Sequence, residues 1–312
     1  MLADALPLIL SMLVAGAFAG LLAGLFGIGG GFVVVPALAA VFTLLSASGT
    51  PMSDDKIMHV AIGTSLATII FTSLRSVQAH AKRGAVDFNI LRQWAPWVVL
   101  GVIMGLLVAR FLDGKSLKVI FGVGVFLMAW HFLFPILSKR GPLSNEMPKG
   151  VARGGLGSVL GGFCTLLGIG GGTPAILIMT LNGQPVHRAV ATAAGFGTII
   201  AVPGTIGSII SGLGETGLPF GSIGYVNVIA MLAIISMSMI TAPIGASLAH
   251  SLDSGKLKRA LGIYLLCTSS LMLWTAFHHS QQSKNPLTSV SAAPAVEATA
   301  AATGTQPHKG GR

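Results

Sequence analysis

The sequence predicts an all-α, polytopic membrane protein, and its composition, its long apolar runs and an internal repeat are the three observations behind this prediction. Of the 312 residues, 53% are hydrophobic and only 9% are charged, whereas roughly 25% are charged in soluble domains. Apolar runs long enough to cross a hydrocarbon core of about 30 Å recur between residues 6 and 278. We therefore expect a multi-pass protein of the cell (inner) membrane, with the lipid bilayer as the solvent for most of the chain.

The internal repeat divides the chain into two related halves. The run GIGGG at 27–31 returns unchanged at 168–172. Two further matches follow in the same order: HVAIGT at 59–64 with HRAVAT at 187–192, and ARFLD at 109–113 with AHSLD at 249–253. Repeats of this kind are a feature of many secondary transporters.

Each half contains about five hydrophobic segments, eight to ten in total, with broken or re-entrant helices at the two glycine runs. The segment at 173–182 covers only about half a bilayer at about 1.5 Å per residue. Lys and Arg residues concentrate in the connectors at 80–92, 139–153 and 250–259, which favours the cytoplasm for these three and the outside for the N-terminus. With the connectors on these sides, equivalent segments of the two halves cross the membrane in opposite directions, so the halves are predicted to be inverted repeats.

The segments define four parts of the chain. These are a first membrane repeat at 1–138, a cytoplasmic linker at 139–153, a second membrane repeat at 154–277 and a C-terminal tail at 278–312. The tail is rich in Ser, Ala, Thr and Pro, with almost nothing apolar enough to pack, so we predict that it is disordered.

The two glycine runs are the strongest candidates for a binding site. Successive glycines leave backbone N–H groups accessible, and the N-terminus of a following half-helix adds about +0.5 of an elementary charge. Two such loops facing each other from opposite sides would enclose an anion without a buried Lys or Arg. The alternative is close helix packing, but three adjacent glycines exceed what packing requires. The predicted substrate-binding glycines are Gly27, Gly29, Gly30, Gly31, Gly168, Gly170, Gly171 and Gly172.

Polar side chains near these runs are further candidates for substrate binding. Thr64, Ser65 and Thr192 carry hydroxyls that can donate to an anion or bond to helix carbonyls, and the sequence leaves both roles open. Arg75 and Arg188 lie near segment ends, where each can hold an oxyanion or extend to the interface. The interface is the favoured interpretation for Arg75.

His59 and His187 occupy equivalent positions in the two halves. Histidine titrates near neutral pH, so proton coupling is one hypothesis for both, but residues preceding apolar runs are more often interfacial. Coupling is not required for export, because a membrane potential of about 100 mV supplies a departing monovalent anion with about 2.3 kcal/mol.

Several classes of function are excluded. There is no catalytic nucleophile with a base and no HExxH motif, so we expect no enzyme and no catalytic residues. No His, Cys or carboxylate cluster has metal-ligand spacing, so we expect no metal and no cofactor. The net charge of +10 comes without a basic face that interleaves aromatic residues, so nucleic acid is not an expected partner. The expected partners are a small anionic substrate and the lipid bilayer, with a homodimer left open.

These motifs resemble the sulfite exporter TauE/SafE family of membrane permeases, over about residues 8–277. The resemblance is carried by the following stretches: 20–31 with Pro36, its second copy at 161–172, 61–65, 189–192 and 84–88. It implies a secondary transporter that exports small sulfur-containing oxyanions, such as sulfite, sulfoacetate or other organosulfonates, by alternating access around the glycine loops. The alternatives are a transporter or importer of another small organic anion, and a non-transporting structural or assembly membrane protein.

Overall fold

A computed structural model describes residues 2–26, 30–47, 52–134, 144, 146–251 and 254–282. These residues form ten helices and one short hairpin: α1 Leu2–Phe26, α2 Gly31–Ala47, α3 Asp54–Ala81, α4 Phe88–Arg110, α5 Gly114–Leu133, α6 Gly150–Leu167, α7 Gly172–Leu181, α8 Val186–Ser211, β1 Ser222–Ile223, β2 Val226–Asn227, α9 Val228–Ser251 and α10 Ser254–Gln282. Among them, seven helices are long and apolar enough to cross a membrane. The predicted all-α polytopic membrane fold is therefore confirmed.

Helices α3 and α8 pack against each other at the centre of the molecule and run antiparallel. Near the start of α3, Gly63 contacts Ser208 near the end of α8. Further along α3, Ser73 contacts Gly197 and its hydroxyl lies 2.9 Å from that of Thr198. Each of these two helices is the third helix of its half.

Helices α5 and α10, the fifth of each half, also pack antiparallel. Gly122 of α5 contacts Leu273 of α10, and Gly262 of α10 contacts Leu133 of α5. Equivalent helices of the two halves therefore pair with each other twice, each time in opposite directions.

Two further pairs, α4 with α6 and α1 with α9, run parallel and are counterparts of each other in the two halves. Small residues allow a close approach in both pairs. A Cβ on Gly101 of α4 would lie 2.0 Å from the carbonyl oxygen of Ser158 in α6, and one on Gly20 of α1 would lie 2.5 Å from the Cα of Ser238 in α9. Gly20 and Gly101 thus allow their helices to pack closely.

The start of α3, the end of α4 and the end of α8 meet at one end of the bundle, which we call the Glu215 end. There, Lys56 Nζ lies 2.6 Å from Glu215 Oε2, and a Cβ on Gly114, at the start of α5, would lie 2.5 Å from the carbonyl oxygen of Asp55. The hairpin β1–β2 lies at the same end, because the Tyr225 carbonyl contacts Gly63.

The end of α3 and the starts of α4, α6 and α8 meet at the opposite end, which we call the Arg188 end. Arg188 Nη2 lies 3.2 Å from Asp87 Oδ2, and Arg153 Nη1 donates to Gln93 Oε1 at 2.7 Å. Arg92 and Arg153, from two of the basic connectors that we predicted to be cytoplasmic, lie at this end.

Two helix boundaries differ from the predicted parts of the chain. Helix α6 begins at Gly150, inside the predicted linker, and α10 extends to Gln282, beyond the predicted start of the tail. In both places the helix continues through polar residues, because a helix needs apolar side chains only where it meets lipid or protein. The remainder of the predicted tail, 283–312, lies outside the described residues.

Candidate functional site

The second glycine run breaks the chain between α6 and α7. Gly168 ends α6 with φ 65°, and Gly171 caps the start of α7 with φ 71°. Both angles lie in the left-handed region, which glycine enters without steric cost. Helix α7 then has only 10 residues, about 15 Å, half the thickness of a bilayer. The predicted broken helix is present here.

The first glycine run meets the second. Gly27 and Gly29 lie outside the described residues, and the carbonyl of Gly30 accepts hydrogen bonds from the N–H groups of Val33 and Val34. Gly31 begins α2, and a Cβ added to it would lie 2.8 Å from the Cα of Ile169 and 2.9 Å from the carbonyl oxygen of Gly168. The backbones of the two runs are therefore in direct contact.

This contact lies near the middle of the two central helices. Gly170 packs against Ile69 of α3 and Gly197 of α8, each about halfway along its helix. From here α2 leads to the Glu215 end, where Ser46 Oγ donates to the Met52 carbonyl just before α3. Helix α7 leads to the Arg188 end, where α8 begins. Helices α2 and α7 thus direct their positive N-terminal ends toward one region from opposite sides.

A cavity of about 260 Å³ extends from the second glycine run toward the Arg188 end. Its lining residues are Gly170, Gly172 and Ile176 around α7, Ile69, Thr72, Ser73, Ser76 and His80 on α3, and Val190, Ala193, Ala194 and Gly197 on α8. Thr72, Ser76 and His80 are four residues apart and form one stripe along α3. None of the lining residues is Asp, Glu, Lys or Arg.

A second cavity, of about 340 Å³, lies at the Glu215 end and includes Ile62, Thr165 and Tyr225 among its lining residues. Ile62 also touches the second glycine run, because a Cβ on Gly168 would lie 3.1 Å from the Cα of Ile62. The second glycine run therefore lies between two cavities that approach it from opposite ends.

Of the three predicted hydroxyl residues, the structure brings one to the glycine runs. Ser65 Oγ donates to the carbonyl of Gly168 at 2.8 Å. Thr64 Oγ1 accepts from the N–H of Asn227 in β2, at the Glu215 end, and Thr192 Oγ1 accepts from the N–H of Asp87, at the Arg188 end, both at 2.9 Å. All three side chains are buried.

The predicted arginine and histidine residues lie away from the glycine runs. Arg188 is half-exposed and pairs with Asp87, while Arg75 is exposed on α3 and His187 is exposed at the start of α8. His59 lies at the Glu215 end, where its Nδ1 is 3.1 Å from the Asp55 carbonyl oxygen and its Nε2 is 3.2 Å from that of Ala109. Its ring centroid lies 4.9 Å from that of Tyr225.

Thr173, in the first turn of α7, was not among the predicted site residues. Its side chain is 6% exposed, and its Oγ1 has no hydrogen-bond partner among the described residues. Thr72 and Ser76 of the polar stripe on α3 were missed as well. Two sequence signals could have revealed these residues. One is the four-residue spacing of Thr72, Ser76 and His80 in an otherwise apolar segment, and the other is a Thr placed directly after the glycine run.

Comparison with known proteins agrees with this architecture. A family model described as "Sulfite exporter TauE/SafE" matches residues 12–272. A probable membrane transporter protein of Haemophilus influenzae is 33% identical over 259 residues, covering 83% of this chain and 95% of that protein. One of Methanocaldococcus jannaschii is 30% identical over 237 residues, covering 72% of this chain and 80% of that protein. No solved structure matches the chain.

Proposed function

Because the chain belongs to the sulfite exporter TauE/SafE family of membrane transporters, we propose that it exports small sulfur-containing oxyanions such as sulfite, sulfoacetate or other organosulfonates across the cell inner membrane. The chain is a transporter and not an enzyme. The substrate class and the direction of transport are the elements of this proposal that go beyond membership of the family.

One observation carries the proposal: the N-termini of α2 and α7 converge where Gly31 touches Gly168 and Ile169, next to a cavity lined by Gly170 and Gly172. Backbone N–H groups at helix N-termini favour negative charge. The cavity has hydroxyl groups but no carboxylate that would repel an anion. A volume of about 260 Å³ accommodates a small anion with several oxygens.

Alternating access is supported by the relation between the two halves. A two-fold axis along the helices would make equivalent helices parallel, whereas an axis across them makes equivalent helices antiparallel. The antiparallel pairs α3–α8 and α5–α10 therefore favour inverted repeats, the arrangement in which one half can rock against the other around a fixed central site. The two cavities on opposite sides of the second glycine run are the two routes that such a motion would open in turn.

The driving force that we propose is the membrane potential. Among the described residues, no carboxylate lines the cavity that reaches Gly170. An anion leaving a cell with an interior potential of about −100 mV gains about 2.3 kcal/mol per charge. His59 is the candidate for proton coupling, should flux prove to depend on a pH gradient, because it lines the second cavity.

Flux into proteoliposomes tests the proposal. The purified protein should give saturable movement of sulfite or sulfoacetate, and the rate should respond to an imposed membrane potential. Gly170→Leu should abolish this flux, because a Cβ there already lies 2.8 Å from Ile69 Cγ2 and the longer side chain would fill the cavity. Gly155→Leu is the matched control, since no atom lies within 4 Å of a Cβ at that exposed position.

Three outcomes would contradict the proposal in different ways. Flux of carboxylates alone would favour a transporter of another organic anion. Flux only in the inward direction would favour an importer. No flux across a broad panel of anions, from protein that is folded in the vesicles, would favour a structural or assembly role.

A further inference from the structure

The cavity at the Arg188 end contains one titratable side chain among its described lining residues. That side chain is the imidazole of His80, in the last turn of α3. The imidazole is partly buried and makes no side-chain hydrogen bond within the described part of the chain. The formal charge of this lining is therefore zero when the imidazole is neutral and +1 when it carries a second proton.

The outer half of the cavity, which we define as the part lined by Ser76 and His80, offers few other polar groups. Ser76 lies one turn before His80 on the same face of α3, and its hydroxyl likewise makes no hydrogen bond to a described residue. An anion that lies against Ser76 is thus within reach of His80. None of the α8 residues that line the cavity has a polar side chain: Val190, Ala193, Ala194 and Gly197.

Other charged or titratable groups lie near this end but do not line the cavity. On α3, on its connector to α4 and at the start of α8, the described groups of this kind are Arg75, Lys82, Arg83, Asp87, His187 and Arg188. Arg188 pairs with Asp87, and the side chains of Arg75, Lys82, Arg83 and His187 are exposed. Exposed charges attract anions to this end, but water and salt screen them within about 10 Å.

The number of charges on an anion decides whether a neutral cavity can hold it. The cost of taking an ion out of water grows with the square of its charge, whereas its attraction to hydroxyl and peptide dipoles grows only in proportion to the charge. A cavity lined by neutral groups therefore accepts a monoanion far more readily than a dianion. A proton on a lining histidine offsets the second charge, so that the occupied cavity again carries one net negative charge.

We propose that His80 matches the charge of this cavity to that of the transported anion: the imidazole stays neutral beside a monoanion and takes up a proton from water when a dianion binds. This inference rests on the proposed function and divides its substrate class by charge. Methanesulfonate carries one charge, while sulfoacetate adds a carboxylate to the same sulfonate group and carries two. Histidine suits this role because it changes charge between about pH 5 and 8.

Proton uptake on binding tests the proposal on the unmodified protein. Calorimetry of the purified protein at about pH 7.5, repeated in buffers with different enthalpies of ionisation, gives the number of protons taken up per anion bound. We expect about one proton for each sulfoacetate and at most about a third of a proton for methanesulfonate. The affinity for sulfoacetate should then fall by up to about tenfold per pH unit above neutrality, and that for methanesulfonate should change by less than about twofold.

Two histidine variants assign the proton to a residue. His80→Gln removes the titrating group and keeps a polar side chain, so at about pH 6 it should bind sulfoacetate about tenfold more weakly than the parent and take up no proton. His187→Gln is the matched control, because His187 lies at the same end of the bundle but is exposed and does not line the cavity. The control should keep both the affinity and the proton uptake of the parent.

The outcomes separate this inference from the function on which it rests. If the parent binds neither anion, the proposed substrate class is wrong. If the parent binds methanesulfonate alone, or binds both anions with equal proton uptake, the role of His80 is wrong and the function stands. The same conclusion follows if proton uptake with sulfoacetate persists in His80→Gln or disappears in His187→Gln. The measurements on the parent decide the matter even if His80→Gln does not fold.

Discussion

The two glycine runs have the same sequence and occupy different surroundings. Gly31, at the end of the first run, is covered by the backbone of Gly168 and Ile169, and the next residue is Phe32, which is fully buried. In the second run, a Cβ on Gly170 would lie 2.8 Å from Cγ2 of the Ile69 side chain and 3.3 Å from the Cα of Gly197, and Gly170 lines a cavity. The equivalent of Phe32 there is Thr173. We therefore propose that the first run serves as the support and the second as the site, because a half-helix N-terminus can bind a ligand only where its neighbours leave space.

The largest effect is expected at the support. In Gly31→Ala the new methyl would meet backbone atoms at 2.8 and 2.9 Å, and backbone cannot rotate away as a side chain can. We expect a loss of about 3 kcal/mol in the free energy of unfolding, the upper part of the range for overpacking, measured by denaturant titration in detergent. Gly155→Ala, at an exposed helical position, is the control and should lose nothing. Equal stability of Gly31→Ala and the parent would remove the distinction between the two runs.

A smaller loss of stability and a larger loss of binding are expected at the site. In Gly170→Ala the methyl would meet Ile69 Cγ2 at 2.8 Å, which can move by a change of rotamer, and Gly197 Cα at 3.3 Å. We expect about 1 kcal/mol of destabilisation and a clear drop in affinity for sulfoacetate, since the methyl enters the cavity. Calorimetry and unfolding of the same preparation measure both. A loss of stability as great as in Gly31→Ala would show that both runs are packing elements.

Arg188 provides a third test, because the cavity opens toward the end where it lies. Its guanidinium is 54% exposed and pairs with Asp87, whose carboxylate also accepts from the N–H groups of Asn89 and Ile90 at the start of α4. Arg188→Gln should therefore cost less than about 1 kcal/mol, whereas Asp87→Ala should cost about 1 to 2 kcal/mol through the lost cap. Affinity for sulfoacetate in Arg188→Gln decides whether this arginine binds substrate, as its position in the sequence suggests, or only holds the α3–α4 connector. Unchanged affinity favours the connector.

The fold could be predicted further than the site, for physical reasons visible at particular residues. Lipid leaves helices as the only spanning structure for a single apolar chain of this kind, and the paired GIGGG runs locate the breaks before α2 and α7. The site depends instead on which helix faces are brought together. Thr64 and Ser65 are neighbours in sequence and point to different partners, Asn227 and Gly168, so the sequence pattern alone could not separate their roles.

Thr173 is a further residue whose surroundings the sequence pattern alone does not reveal. A threonine in an apolar segment usually bonds to its own helix, and only the helix boundary at Gly172 reveals that Thr173 has no carbonyl one turn earlier in α7. His187 repeats His59, yet it lies at the surface of the Arg188 end, because the repeat records where segments begin and not which side chains converge.

The smallest effect on stability is expected at the Glu215 end. This end lies opposite the one toward which the cavity at the second glycine run extends. The hydrogen bond from Lys56, together with its charge, holds the pKa of Glu215 below its ordinary value. A carboxyl whose pKa is lower in the folded protein stabilises it above the ordinary carboxyl pKa of about 4.3, and this contribution disappears as the pH falls through the lowered value. Glu215→Gln should therefore melt about 1 °C below the parent at pH 7, and this gap should close on acidification below pH of about 4. If the difference in melting temperature instead persists at low pH, Glu215 stabilises the protein through packing against the hairpin and not through its charge. The contacts at this end would then not depend on the ion pair.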